Sequence, residues 1–158
     1  MNYDQKEFDD VIRETSFDII QEISPDETGM FDEAYKISIS GNAAKGNGDN
    51  MLGFGVDALS HLTTPAVVGM VSSVAGFLFS ELVKSLKDES TVIIKAKIKK
   101  LFKKDRADEK VSLPVFTKEQ FASLKQIAFD SAKKNGADDA LAEKMSLTLI
   151  GTMNLPQI

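Results

Sequence analysis

The chain of 158 residues has no cysteine, no tryptophan, only four prolines and a single histidine, His61. Without cysteine there can be no disulfide, no thiolate zinc site and no cysteine nucleophile. A single histidine excludes every metal site or catalytic arrangement that needs two imidazoles. These absences favour a protein that is not an enzyme and that holds no cofactor and no metal.

The composition indicates one domain that folds in water. Hydrophobic residues make up 42% of the chain, charged residues 27%, and the formal net charge is −5. This balance excludes both a disordered chain and a membrane protein of several spans. The first twenty residues carry six acidic groups, which is the opposite of a basic secretory signal. We therefore expect a cytoplasmic protein, either free or peripheral to the inner face of a membrane.

The N-terminal part of the chain has the spacing of amphipathic helices. Its apolar residues recur every three or four positions, at Phe8, Val11, Ile12, Ile19, Ile20 and Ile23. This pattern predicts a helix that ends near Ser24-Pro25. Ser24-Pro25 and two acidic residues then indicate a shorter second helix, although the alternation in Ile37–Ser40 is also typical of a strand. Gly41–Asn50, rich in glycine and asparagine, is predicted to be a mobile loop.

An uncharged run of 23 residues, from Ala58 to Ser80, occupies the middle of the chain. Thr64-Pro65 is a good helix start within it. The run is long enough to span a bilayer, but its serines, threonines and glycines make it less apolar than ordinary spans. An amphipathic pattern with many lysines follows, up to Phe102. The uncharged run and the lysine-rich pattern after it predict either one long apolar-to-basic helix or two helices joined near Ser90.

The C-terminal part predicts a helical hairpin. Thr117 with Gln120 is a capping-box pair at the start of one helix, which Asn135-Gly136 ends. Asp138 or Asp139 caps the next helix, and Gly151 is its expected stop.

These elements predict an all-α fold, a compact helical bundle of five to seven helices with a long central apolar-to-basic helix and a C-terminal helical hairpin. The expected organisation is a bundle in residues 1–106, a linker in 107–116 and the hairpin in 117–158, packed on the same domain.

Two short motifs have simpler explanations than chemistry. Ser131 and Lys134 have the spacing of a serine–lysine dyad, but this spacing arises by chance in a charged helical chain. Asp10, Glu14 and Asp18 lie on one helical face, which is typical of a solvated acidic surface when no histidine or second carboxylate helix accompanies it.

Charge is strongly segregated along the chain. Residues 1–40 contain three basic and eleven acidic groups, whereas residues 91–106 contain seven basic and one acidic. Basic amphipathic helices bind anionic membranes or acidic partners, and the alternative is a bundle helix with a solvated lysine face. The sequence argues against nucleic acid, because Lys95 to Lys100 have no arginine or aromatic residue between them for base contacts, and the acidic remainder of the chain would repel phosphate. The candidate membrane- or partner-binding residues are Lys95, Lys97, Lys99, Lys100, Leu101, Phe102, Lys103 and Lys104.

Small residues recur along the uncharged run at intervals of four, three and four positions. They form a candidate helix-pairing stripe, which we call the small-residue stripe: Gly69, Ser73, Gly76 and Ser80. Such a stripe lets another helix approach closely, in lipid or in the core of a soluble bundle. Base rates favour the soluble core, because the other helices have apolar faces to pack on this one.

An apolar central helix, a cationic segment and acidic helices that neutralise it fit a non-enzymatic protein that is soluble at rest and engages anionic membranes. In this hypothesis the central helix inserts, associates through its small-residue stripe and permeabilises the membrane. The layout of the central part of the chain resembles that of bacterial helical cell-death effector domains, including the HeLo-like kind. Under this hypothesis we expect a pore-forming oligomer. The alternative is a cytosolic interaction or adaptor module, with a protein partner or self-association and no membrane role.

Overall fold

The computed structural model describes residues 3–40, 62–102 and 115–153. These residues form six α-helices and one 3-10 helix, which confirms the all-α bundle of five to seven helices. The helices are α1 (Tyr3–Ile23), the 3-10 helix (Pro25–Met30), α2 (Phe31–Ser40), α3 (Thr64–Ser85), α4 (Thr91–Phe102), α5 (Lys118–Lys134) and α6 (Asp139–Thr152). The predicted loop 41–50, His61, residues 107–114 of the predicted linker, and Lys103 and Lys104 lie outside the described residues.

The N-terminal helices follow the predicted pattern up to Ser24-Pro25, where a 3-10 helix intervenes before α2. Ile37–Ser40 continue α2, so the alternative of a strand is wrong. The buried ring of Phe31, the first residue of α2, contacts two other rings. It meets the Phe17 ring edge-on, with 5.1 Å between the ring centroids, and stacks on the Tyr35 ring, with 5.8 Å between the centroids. The aromatic cluster thereby joins α1 to α2.

Helix α3 is the central element and packs against α1, α2, α4, α5 and α6. Nine of its apolar side chains are 3% exposed or less, whereas Val83 near its C-terminus is 42% exposed. The nine are Ala66, Val67, Val68, Met70, Val71, Val74, Ala75, Leu78 and Leu82. The described part of the uncharged run, from residue 62 onward, therefore lies in the core of a folded bundle.

The apolar and basic parts of the central segment are two separate helices. α3 ends at Ser85, and the backbone leaves helical geometry at Leu86. An exposed, charged turn follows, and the Ser90 hydroxyl accepts a hydrogen bond from the Ile93 N–H at 3.3 Å, at the start of α4. The turn separates the buried face of α3 from that of α4, so the single long helix is replaced by a helix pair.

The C-terminal hairpin forms as its capping signals predict. Thr117 and Gln120 make both hydrogen bonds of the capping box. The chain then turns at Gly136, whose φ of +113° favours glycine. Asp138 caps α6 by accepting from the Leu141 N–H at 2.8 Å. α5 packs against both α3 and α6, and Phe116, within the predicted linker, is buried in the core.

Candidate functional site

The basic segment lies in α4, with its apolar face in the core of the bundle. Ile94, Ile98, Leu101 and Phe102 are each 3% exposed or less, and α4 packs against α1 and α3. Leu101 and Phe102, two of the predicted binding residues, therefore contact protein in this state. They become available to another surface only if α4 moves away from its neighbours.

The four described lysines of α4 do not form a solvated face. Lys97 is buried, at 9% exposure, and lies in the same stripe as Ile94 and Ile98. Lys95, Lys99 and Lys100 are half-buried, and none of the four is without an interaction partner. The residues of α4 most open to solvent are instead those of its first turn, where Val92 is 53% exposed.

The packing of α4 on α1 places a basic helix against an acidic one. α4 contains four lysines and no acidic residue, whereas α1 contains seven acidic and two basic residues. Opposite charges on packed helices attract each other, and this attraction is stronger where the groups are partly removed from water. The acidic N-terminal helix thus covers part of the basic segment.

Half of the small-residue stripe forms a close helix crossing. At Gly69, a Cβ atom added to the backbone would lie 2.4 Å from the Asn135 side-chain nitrogen, so only glycine fits there without a shift. The Ser131 hydroxyl donates to the Gly69 carbonyl at 3.0 Å, and the Ser73 and Ser131 hydroxyls are 2.9 Å apart. The stripe therefore pairs α3 with α5 within the same chain, which is the soluble interpretation of this pattern.

The other half of the small-residue stripe faces outward. Gly76 and Ser80 are exposed, and a Cβ atom added at Gly76 would have no atom within 4 Å. The sequence pattern presents the four residues as one surface, but the structure divides them. Gly69 and Ser73 contact the C-terminal end of α5, whereas Gly76 and Ser80 face solvent. α5 nevertheless stays on α3 as far as Glu81, whose carboxylate accepts from the Gln120 side-chain amide at 3.1 Å.

Glu27 makes a contact that the sequence did not reveal. Its carboxylate is buried, at 7% exposure, and one oxygen accepts from the Thr63 N–H at 2.8 Å. The other oxygen accepts from the N–H and the hydroxyl of Thr64, each at 3.0 Å. Glu27 belongs to the 3-10 helix and lies 37 positions before Thr64, the first residue of α3. A carboxylate from a distant part of the chain therefore caps the central helix. Local pattern assigned Glu27 to the first turn of its own helix, and no sequence signal points to a distant partner.

The Ser131–Lys134 pair and the acidic face of α1 have structural surroundings rather than those of a catalytic or metal site. The Ser131 hydroxyl is engaged by Gly69 and Ser73 on α3, whereas Lys134 is exposed on the rim of the crossing. Asp10, Glu14 and Asp18 are exposed on α1. Within the described parts of the chain, no group of three or more acidic or histidine residues is arranged to hold a metal ion.

Two open grooves lie beside the C-terminal hairpin. One, of about 730 Å³, follows the crossing of α3 and α5 and has Ser72, Lys134 and Asn135 among its lining residues. The other, of about 430 Å³, lies between α5 and α6 and is bordered by Phe129 and by Leu147, whose side chain is 53% exposed. Serine hydroxyls and the Asn135 amide share the lining of the first groove with Ile39, Pro65 and Val68. Apolar side chains contribute slightly more to the second groove.

By length and composition, α3 is the one helix among residues 3–40, 62–102 and 115–153 that could cross a membrane. Half of its apolar stretch is buried inside the bundle. Core helices of soluble proteins have the same properties, so this finding is compatible with both functional hypotheses.

Comparison with known proteins gave no match: no family model, no curated protein and no solved structure is significantly similar to this chain.

Proposed function

We propose that this protein is a non-enzymatic helical protein that is soluble at rest and permeabilises anionic membranes once α1 releases α4 and α3. The observation that supports this proposal is the packing of the acidic helix α1 on the basic helix α4, next to a buried helix long enough to span a bilayer. One rearrangement would expose both the cationic segment and the apolar helix.

Anionic lipid competes directly with α1 for the lysines of α4. Each lysine near such a surface contributes about 1 kcal/mol at low salt. The four described lysines of α4 can thus offset part of the free energy that holds α1 in place. Release of α1 then uncovers apolar side chains of α3 and α4. Moving these side chains from water into the hydrocarbon of the membrane lowers the free energy.

Vesicle sedimentation tests the first step with the full chain. We expect binding to phosphatidylglycerol vesicles, little binding to phosphatidylcholine vesicles, and weaker binding as salt screens the charges. Replacing Lys99 and Lys100 by glutamine should lower binding more than the same change at Lys84, in the last turn of α3, and Lys87, in the turn that follows, both of which are exposed. Absence of binding to anionic vesicles at low salt would contradict the proposal.

A reversible lock tests whether α3 must leave the bundle. The chain has no cysteine, and the hydroxyls of Ser73 and Ser131 are 2.9 Å apart, so Ser73→Cys with Ser131→Cys should form a disulfide between α3 and α5. The oxidised protein should release no dye from anionic vesicles, and reduction should restore release. Each single cysteine variant is the matched control, and equal release by the oxidised and reduced forms would contradict insertion of α3.

The second candidate function is a protein interaction module with no membrane role. The groove between α5 and α6 favours it, because Leu147 is exposed beside the half-buried ring of Phe129. Leu147→Asp would leave vesicle binding unchanged in both cases, but it would abolish binding of a protein partner only if the hairpin is the interaction surface. Absence of vesicle binding together with such a loss would favour this function over the first.

A further inference from the structure

We infer that Glu27 is an autoinhibitory latch that couples displacement of the acidic N-terminal helices to release of the central helix α3. This inference rests on the proposed membrane function and names the contact that regulates it. The contact is the hydrogen bonding of the buried Glu27 carboxylate to the N-terminus of α3.

The geometry makes Glu27 the cap of α3. The residue in the N-cap position, Thr63, makes no side-chain capping hydrogen bond, and Pro65 has no N–H to be capped. Both carboxylate oxygens of Glu27 are instead engaged by Thr63 and Thr64. A negative charge at a helix N-terminus also interacts favourably with the helix dipole. The start of α3 therefore depends on a residue that belongs to another part of the chain.

The position of Glu27 turns this cap into a coupling device. Glu27 lies in the 3-10 helix between α1 and α2. Movement of either helix would therefore displace its carboxylate from the N-terminus of α3. A second contact strengthens the same joint, because the Ser24 hydroxyl donates to the Thr63 hydroxyl at 3.3 Å. When lipid displaces α1, α3 loses the Glu27 cap in the same event. While the hydrogen bonds from Thr63 and Thr64 to Glu27 are intact, both α1 and α3 stay in the bundle.

The test compares two neighbouring carboxylates. Glu27→Gln keeps the size of the side chain and removes its charge, and Asp26→Asn makes the same charge change at an exposed residue of the same 3-10 helix. We expect Glu27→Gln to accelerate dye release from phosphatidylglycerol vesicles on the order of tenfold, because charge-assisted hydrogen bonds to a buried carboxylate are lost. Asp26→Asn should release dye at nearly the rate of the original protein.

A further variant separates the latch from general instability. Leu149→Val removes a buried methylene-sized volume in α6, a helix that does not carry Glu27, and should lower the melting temperature. If this variant accelerates dye release as much as Glu27→Gln at a matched loss of melting temperature, the latch is overturned. If it does not, the effect belongs to Glu27.

Hydrogen exchange without vesicles tests the coupling independently of any membrane. Glu27→Gln should increase amide exchange in α1 and in the first turn of α3 together, whereas Asp26→Asn should change neither. An increase confined to the first turn of α3 would overturn the coupling. If the original protein releases no dye while exchange in the two segments rises together, the proposed function fails and the latch stands.

Discussion

The two glycines of the small-residue stripe lie in different surroundings, and this difference determines what each can tolerate. Gly69 contacts the Asn135 side chain, which is fixed by its own hydrogen bond to the Ser131 carbonyl at 2.8 Å, whereas Gly76 faces open space. We expect Gly69→Leu to lower the free energy of unfolding by roughly 1 to 3 kcal/mol through overpacking. Gly76→Leu should raise it by up to about 1 kcal/mol, because leucine is the better helix former.

Urea unfolding of the two leucine variants measures this contrast, and each variant is the control for the other. A loss of stability at Gly76 equal to that at Gly69 would mean that the outward half of the stripe is also a close crossing.

Tyr35 makes the stability of the bundle depend on pH in the alkaline range. Burial of its hydroxyl, and then the nearby carboxylate of Asp9, raise the pKa of Tyr35 above its ordinary value of 10.0, although Arg13 opposes them. The folded protein therefore holds the phenol proton more tightly than the unfolded chain. The resulting stability is fully present below pH 10.0 and is lost as the pH rises through the pKa of the folded state.

Tyr35→Phe removes this titrating group. We expect the variant to lose less stability than the original protein between about pH 8 and about pH 11, as measured by urea unfolding at each pH. Equal losses in the two proteins would show that Tyr35 ionises equally readily in the folded and unfolded states.

At the scale of elements, α1 is held less firmly than its apolar face alone implies. Thr15 and Ser16 are buried on α1, and their hydroxyl oxygens have no hydrogen-bond partner within the described structure. A buried hydroxyl without a partner costs about 1 to 3 kcal/mol. This cost favours release of α1, which the proposed function requires.

Thr15→Val should therefore stabilise the resting bundle by about 1 kcal/mol, because valine has nearly the same shape and no polar atom to satisfy. If α1 release precedes membrane binding, the same variant should also release dye more slowly from anionic vesicles. Thr117→Val, at the cap of α5, is a useful contrast, because that hydroxyl is bonded and its loss should destabilise.

Local signals predicted most of the elements, and tertiary contacts decided the rest. The caps at Thr117 and Asp138 and the stop at Gly136 depend on neighbours within three residues, so the sequence displays them. The buried positions of Glu27 and Lys97 depend on helices far away in the chain, and nothing in the adjacent residues indicates them. For the same reason the sequence located the small-residue stripe without showing that α5 covers only part of it.

At the scale of the whole molecule, one hydrophobic cluster includes side chains from all six described helices. We expect unfolding to be a single cooperative transition, because no helix has a core of its own. Far-ultraviolet circular dichroism follows all helices. In a Tyr3→Phe background, which leaves Tyr35 as the single tyrosine, tyrosine absorbance follows the contact between α1 and α2. The two transitions in urea should coincide. An earlier transition at Tyr35 would mean that the N-terminal helices unfold separately.

The outward half of the small-residue stripe also has a consequence for stoichiometry. Gly76 and Ser80, together with Ser72 outside the stripe, are in contact with water in the bundle. A single copy of α3 in a bilayer would turn these hydroxyls and the exposed backbone toward hydrocarbon. A second copy can cover them, since small residues allow close approach and hydroxyls bond across the contact. Dye release should therefore increase with more than the first power of the amount of bound protein, and a strictly linear increase would indicate that single molecules act alone.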